Sequence, residues 1–470
     1  MKIGSISIST VPNNGYRIDP SLHLSEGVSV RAKLSIYPYG LVPVSKCSSK
    51  IFIGNIFSRV FVGDQEYGIP YLSASETVRA DLETGRFLSK KQAAELNYLM
   101  LEKDWILITC SGTLGNVSYT NKNYCGKIAT HDLIRIVPSN TTIRKGCLFA
   151  FLASKYGYFQ ITQSQFGGVV KHINESQTGD ILVPKFPDEL QKDIDELVLE
   201  AARLREEATE DLKKAEKTFK RKADLRDLVT DDYDYFGHRS NQREVSCFTR
   251  SIQDIGTTTI NAFNHSERIR NLKASMTCKI IPLKDALKEG RTYGTSGLPN
   301  IEVKPGHGIM LINQKDMFDN IVKGKWISSR GSDPENVLEY GEILIACDGT
   351  LGENELFCRA VFANEDLKGS YVSSHFLRLK VNDEIPSGYL YCWLNSDYGF
   401  RLIRNTQAGT KLCHPINKLF LDIPVPIVEK NSMLEIDRLV REAHTKRHQA
   451  NQKELKAISM VEQEIEKWNN

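Results

Sequence analysis

A chain of 470 residues, 41% apolar and 25% charged, has the composition of a folded protein with room for more than one core, which excludes global disorder. Its 61 basic and 58 acidic residues leave a formal charge of +3, a mild excess that permits a nucleic-acid partner without requiring one. The ten cysteines form no CxxC pair and no Cys/His group of zinc spacing, so neither a metal site nor a disulfide framework is expected, and a reduced, cytoplasmic setting is.

From the start of the chain, residues 1–12 alternate Ile with Ser and carry one lysine, and no apolar run approaches the roughly 20 residues of a membrane span, so neither export nor insertion is expected. Residues 105–109 and 133–137 are short apolar runs bounded by Gly, Asn and Pro, which predicts strands. Residues 147–154 predict a short helix, as do residues 390–394, so the mixed regions are α/β or α+β. Residues 188–228 contain neither Gly nor Pro. They place Leu190, Ile194, Leu197, Ala201, Leu204, Ala208, Leu212, Ala215 and Phe219 at steps of three and four, a coiled-coil seam. Residues 429–468 repeat the pattern with Ile436, Leu439, Ala443 and Ala450, then Leu455, Ile458, Val461, Ile465 and Trp468, around a polar middle at 446–449. A helix of about 40 residues reaches roughly 60 Å and cannot bury its own stripe. Antiparallel packing of the two tails on each other about a pseudo-twofold axis would bury both. Separate hairpins or a dimer contact are the alternatives.

The chain also repeats itself. Residues 102–115 (EKDWILITCSGTLG) recur as 339–352 (EYGEILIACDGTLG), an offset of 237 (339 − 102). In the same order, Gly68-Ile69 answers Gly308-Ile309, and Gly85-Arg86-Phe87 answers Gly324-Lys325-Trp326. Tyr156-Gly157, Gln165, Gly167 and His172 then answer Tyr398-Gly399, Gln407, Gly409 and His414, the offset reaching 242 (398 − 156). Two homologous halves joined near Asp232 follow. Framework Gly and Pro are shared, whereas residues 116–128 and 353–370 barely correspond, as in two readers of different ligands or in loops that have drifted.

Together, the doubled Gly-Thr-Leu-Gly turns, the segments ending Ile-Leu-Val-Pro and Ile-Pro-Val-Pro, and the long helix after each resemble the specificity subunit of a type I or type I-like restriction-modification system. The family's opening motif resembles Arg17-Ile18-Asp19-Pro20-Ser21-Leu22-His23, and its Gly-x-Pro-Tyr-Leu element resembles residues 68–72. The second half departs from these, with Asn261 in place of the motif's Asp and Met310 in place of its Pro. The resemblance implies target recognition domains at 1–187 and 233–428 that read a bipartite duplex DNA site. It also implies spacer helices at 188–232 and 429–470, docking of two methyltransferase subunits that bind S-adenosylmethionine, and the possible joining of a nuclease/translocase subunit. On this reading the chain itself is non-catalytic and holds no cofactor.

The sequence agrees. It contains no Asn/Asp-Pro-Pro-aromatic loop for methylating a flipped base, Asp333-Pro334-Glu335-Asn336 being the nearest approach, and no G-x-x-x-x-G-K-[ST] phosphate loop. Pro187-Asp188 with Glu189 and Lys192 resembles a nuclease motif but opens a helix, where acidic residues are favoured for charge alone. His131, His172, His375 and His414 lack ligand-spaced companions and are read as structural or DNA-contacting.

DNA contact needs cations for phosphates and amide, hydroxyl or guanidinium groups for base edges. Gly112, Thr113 and Gly115, with Gly349, Thr350 and Gly352, expose backbone amides that could border a phosphate, or simply turn the chain. The favoured reading stretch is Gln163, Gln165, Gly167, Gly168, Lys171 and His172, mirrored by Arg404, Asn405, Gln407, Thr410, Lys411 and His414. A stand-alone restriction or modification enzyme with its own target domain, or a coiled-coil protein adaptor, are the competing functions.

Overall fold

A computed structural model describes residues 8, 18, 20–63, 65–163, 165, 171–229, 232, 248–299, 301–352 and 354–468, without the side chains of 20 and 21. Arg17 and Asp19 of the opening motif and the candidates Gly167 and Gly168 therefore lie outside the described residues. The chain divides into two compact units, Met1–Glu206 with Gln449–Asn470, and Glu207–His448. Among the described residues no helix is long and apolar enough to cross a membrane.

In the first unit, Ile106–Thr109 is a strand buried along its whole length, between Leu133–Pro138 and Val117–Tyr119, with Ser48–Ile53 on the outer side of Leu133–Pro138. All three pairings are antiparallel. A second sheet runs Phe61–Val62, Phe87–Ser89, Gly68–Leu72, Ile128–Ala129, its last pair parallel. The helix Lys145–Ala153 is apolar all round and buried from Gly146 to Leu152, as a helix enclosed by its own core must be. Lys155–Gln163 follows it, and the ladder of Leu41–Pro43 with Leu182–Pro184 closes the module.

The second unit is built alike. Ile343–Ala346 lies antiparallel between Ala360–Phe362 and Phe376–Leu379, and Lys325–Ile327, Ile309–Ile312 and Tyr371–Val372 form the smaller sheet, its last pair again parallel. Helices Ser387–Asn395 and Asp397–Asn405 come next.

The repetition extends to single atoms. The ladder register Leu41↔Pro184, Val42↔Val183, Pro43↔Leu182 is reproduced as Ile280↔Pro426, Ile281↔Val425, Pro282↔Pro424. The Gly146 amide donates to Asp195 Oδ1 at 2.6 Å, and the Gly388 amide donates to Asp437 Oδ1 at 2.7 Å. Both positions require glycine for close approach, since an added Cβ would meet the Asp195 Cα at 2.9 Å and the Asp437 carbonyl at 3.0 Å. The residue opening each central strand region, Asp104 (φ 69°) and Gly341 (φ 87°), takes the left-handed conformation.

The long helices span Asp188–Lys222 and Lys430–Lys467. Inside the first unit, Ile194, Val198 and Ala202 share a core with Ala457, Val461 and Ile465, while Ala201 and Leu204 meet Ala450. Arg205 there pairs with Glu454 and donates to Asn451 Oδ1 at 2.9 Å. Inside the second unit, Ala215 and Phe219 share a core with Met433, Ile436, Leu439 and Val440, and Lys446 reaches Asp211 at 2.7 Å.

Two expectations for the tails need correction. The first helix ends at Lys222, short of the 232 expected for the spacer helix, because Asp224 turns left-handed (φ 49°) and the Leu225 amide donates to the Lys220 carbonyl at 3.0 Å, a helix-closing turn. Leu455 in the last helix and Trp468 just beyond its end are 44% and 41% exposed, whereas Ala457 is fully buried. The seam holds its phase through 450, 454, 457 and 461, which gives one seam position to the charged Glu454 and leaves Leu455 a residue off.

Candidate nucleic-acid interface

In each unit the turn after the central strand is tied by backbone pairing to the loop before the last strand. In the first, Ser111 bridges His172, and the Ile173 amide donates to the Cys110 carbonyl at 3.1 Å. The turn is braced by Thr109, whose Oγ1 donates to the Thr113 carbonyl at 2.6 Å and accepts from the Asn116 amide at 3.0 Å. Gly112 (φ 70°) and Thr113 are exposed; Gly115 (φ 83°) is buried against the Tyr158 ring. Thus the turn and the segment carrying Lys171 and His172 are brought together, both residues half-buried. Gln165 is also half-buried.

The second unit makes the same junction with Gly349 and Cys413, whose amides and carbonyls exchange bonds of 2.8 and 3.3 Å. Thr350, Thr410, Lys411 and His414 are exposed on it, and Gly349 and Gly352 are half-buried. Here the structure assembles a group that the sequence reading did not. Asp348 takes an imidazole on each carboxylate oxygen, His375 Nδ1 on Oδ2 and His414 Nδ1 on Oδ1, while its backbone carbonyl accepts from Gln314 Nε2 at 2.7 Å. The legible signal was the repeat itself: Cys110-Ser111-Gly112 against Cys347-Asp348-Gly349. At the matching place in the first unit Asp132 lies beside His131 (3.4 Å) and Arg59 (4.0 Å), and Arg59 donates to Thr130 Oγ1 at 3.1 Å.

Four polar sequence candidates are interior residues instead. Gln163 is 4% exposed, its Nε2 donating to the Leu22 carbonyl at 2.9 Å, which ties the helix Lys155–Gln163 to the chain leading into Glu26–Ser35. Arg404 is fully buried, donating to the Gly352 carbonyl with its guanidinium 4.1 Å from the Phe400 ring centre. Asn405 Nδ2 donates to the Phe263 carbonyl at 2.7 Å, and Gln407, 5% exposed, lies in the short ladder Gln407↔Pro415. A polar group on a helix end looks alike in sequence whether it serves a ligand or the fold. Here the fold takes it.

Burial, with Asp132 adding to it, pushes the Cys110 thiol up to about 12; burial and Asp348 do the same for Cys347, again to about 12. Among the described residues no three His, Cys, Asp or Glu side chains are arranged to hold a metal ion. What the junctions offer are exposed hydroxyl, ammonium and imidazole groups on glycine-hinged turns, the donor set for phosphates and base edges.

Residues 54–196 match the family model described as the type I restriction modification DNA specificity domain. Curated proteins give no match. Among solved structures, the type I restriction-modification S subunit of M. genitalium is 12% identical, covering 91% of this chain and 95% of its own, with a TM-score of 0.32. The HsdS subunit from Thermoanaerobacter tengcongensis is 12% identical, with coverages of 92% and 96% and a TM-score of 0.27. A chain from a type I R-M system studied for complex assembly and conformational transition is 14% identical, with coverages of 91% and 97% and a TM-score of 0.27. Over residues 54–196 the chain is thus similar to the type I restriction modification DNA specificity domain.

Proposed function

We propose that this chain is the DNA-reading subunit of a type I restriction-modification assembly, each unit reading one half of a bipartite duplex site. The observation that carries the reading is the doubled framework: one ladder register, one Gly-to-Asp amide bond and one turn-to-loop junction recur around side chains that differ. Two readers of one build with unlike loops suit two unlike half-sites. In the first unit the reading groups are Thr113, Gln165, Lys171 and His172; in the second, Thr350, Thr410, Lys411 and His414. Lysine suits phosphates and guanine edges, and glutamine suits adenine.

The two long helices act as an antiparallel coiled-coil ruler about a pseudo-twofold axis and set the spacing of the half-sites. The shared cores of Ile194 with Val461 and of Phe219 with Ile436 support this. The chain performs no chemistry itself. Two methyltransferase subunits, each binding S-adenosylmethionine, dock on it in the cytoplasm, and a nuclease/translocase subunit joins them. Mapping methylated bases in cells with and without the gene tests the reading. The expected result is loss of one motif made of two unlike half-sites separated by unspecified bases; an unchanged map refutes it.

A further inference from the structure

We propose that His375 and His414, held by Asp348, form a phosphodiester-binding clamp in the second unit that closes on DNA as it gains protons. The inference rests on the DNA-reading proposal and adds to it a ligand group and a means of control. Asp348 is the inner member, its side chain 16% exposed, and the imidazoles are 55% and 54% exposed. An ionised carboxylate only accepts hydrogen bonds, so each Nδ1 must carry its proton toward Asp348. The Nε2 edges are then the variable ones: acceptors when the rings are neutral, donors when protonated. With both rings neutral the cluster bears the carboxylate's single negative charge and repels a phosphate. With both protonated it bears one positive charge and presents two N–H donors to an anion.

The surroundings favour an anion. The adjoining turn places the Gly349 and Thr350 backbone beside the cluster, and Lys411 is exposed on the hairpin that carries His414. Of the other charged or titratable groups nearby, Arg404 is buried on the Gly352 carbonyl, and the Cys347 thiol stays neutral because burial and Asp348 push it up to about 12. Gln314, which holds the Asp348 carbonyl, is uncharged, and Lys315 and Asp316 beyond it are of opposite sign. The first unit has Ser111 in place of Asp348 and Asp132 in place of His375, so the device belongs to one half only.

The test is binding of the full chain to a short random-sequence duplex at constant ionic strength from about pH 8 to about pH 6, where ordinary histidines gain charge. Wild type should tighten by about tenfold, the scale of one good charged contact. H375Q/H414Q should lose that gain, and H131Q in the first unit should keep it. Asp348→Asn, which removes the repelling charge, should tighten binding at the alkaline end. If H375Q/H414Q retains the wild-type pH slope, or Asp348→Asn weakens alkaline binding, the clamp is overturned while DNA reading stands. If wild type binds no duplex at any pH or salt, the DNA-reading proposal falls and the clamp with it.

Discussion

Replacing Glu342 with Leu should destabilise the second unit far more than the loss of one side chain suggests. Arg378 and Glu342 form a two-pronged pair, Nε to Oε2 and Nη2 to Oε1 both at 2.9 Å, with side chains 1% and 2% exposed. Arg378 also donates to the Glu335 carbonyl at 2.7 Å and the Val337 carbonyl at 3.2 Å, and Glu342 Oε1 accepts the Glu339 amide at 2.9 Å. Glu342→Leu strands a buried guanidinium, a change that costs about 3–5 kcal/mol. In Glu342→Leu with Arg378→Met both charges of the pair are gone, and Lys380 keeps its partner Glu339. The double variant keeps only the orphaned amide and carbonyls, about 1–3 kcal/mol each where no water reaches them. It should therefore be less damaged than the two single changes added together, with a coupling of about 2 kcal/mol or more. Because two units need not unfold in one step, the assay is amide hydrogen exchange read at Ile343–Ala346 and Phe376–Leu379. A Glu342→Leu effect below about 1 kcal/mol, or simple additivity in the double variant, would refute the reasoning.

Gly146→Ala and Gly388→Ala should each cost about 1–3 kcal/mol, the first in exchange protection of its own unit only and the second likewise, because each Cβ meets an aspartate on the long helix below 3.2 Å. His444 is buried, its ring stacked on Phe362 at 4.8 Å, and burial, then the charge of Arg447, hold its pKa well below the ordinary value. The unfolded chain therefore binds the proton more readily. Stability contributed by neutral His444 is full above about pH 6.5 and falls as pH drops, by about 1.4 kcal/mol per unit until the folded pKa is reached. Denaturation of the second unit at decreasing pH should show this slope, and His444→Phe should flatten it. Lys171→Ala with His172→Ala should change the methylated motif in one half-site only, and Lys411→Ala should lower the slope of log affinity against log salt by about 1. An effect of the first pair on both half-sites would count against modular reading.

The long helices and central strands were legible because their signals are periodic and repeated. Ile194, Ala201, Ala208, Ala215 and Phe219 fall on the seam the spacing predicts. Leu455 was misplaced because an apolar residue one step from the seam looks like a seam residue when Glu454, charged and paired with Arg205, holds the true position. The reading surface was only partly legible for a related reason. Arg404 lies four residues after Phe400, a spacing that lets its guanidinium lie on the ring, and nothing in sequence tells whether a base or a carbonyl takes its donors. Asp348 and His375 are 27 residues apart and meet only through the register of Ile343–Ala346 with Phe376–Leu379.

Comparing the halves residue by residue shows where the scaffold tolerates change. Arg378 has its counterpart in Arg135, fully buried on the matching strand, but the place of Glu342 is taken by Trp105. Arg135 instead gives its donors to three carbonyls, Leu133 at 3.0 Å, Ala129 at 2.9 Å and Thr130 at 3.0 Å, and burial lowers its pKa to about 10. The same cation is kept inside by a carboxylate in one unit and by carbonyl dipoles in the other. Its constant property is thus the set of N–H donors that fixes the strand ends, not the ion pair. Those strands end at the turn-to-loop junctions: Leu133–Pro138 runs beside the strand leading to Gly112, and Phe376–Leu379 beside the one leading to Gly349. A junction held by a buried guanidinium keeps its backbone while its outer residues change, Ser111 to Asp348 and Asp132 to His375. That separation of a fixed backbone from variable side chains is what the proposed reading of two different half-sites requires.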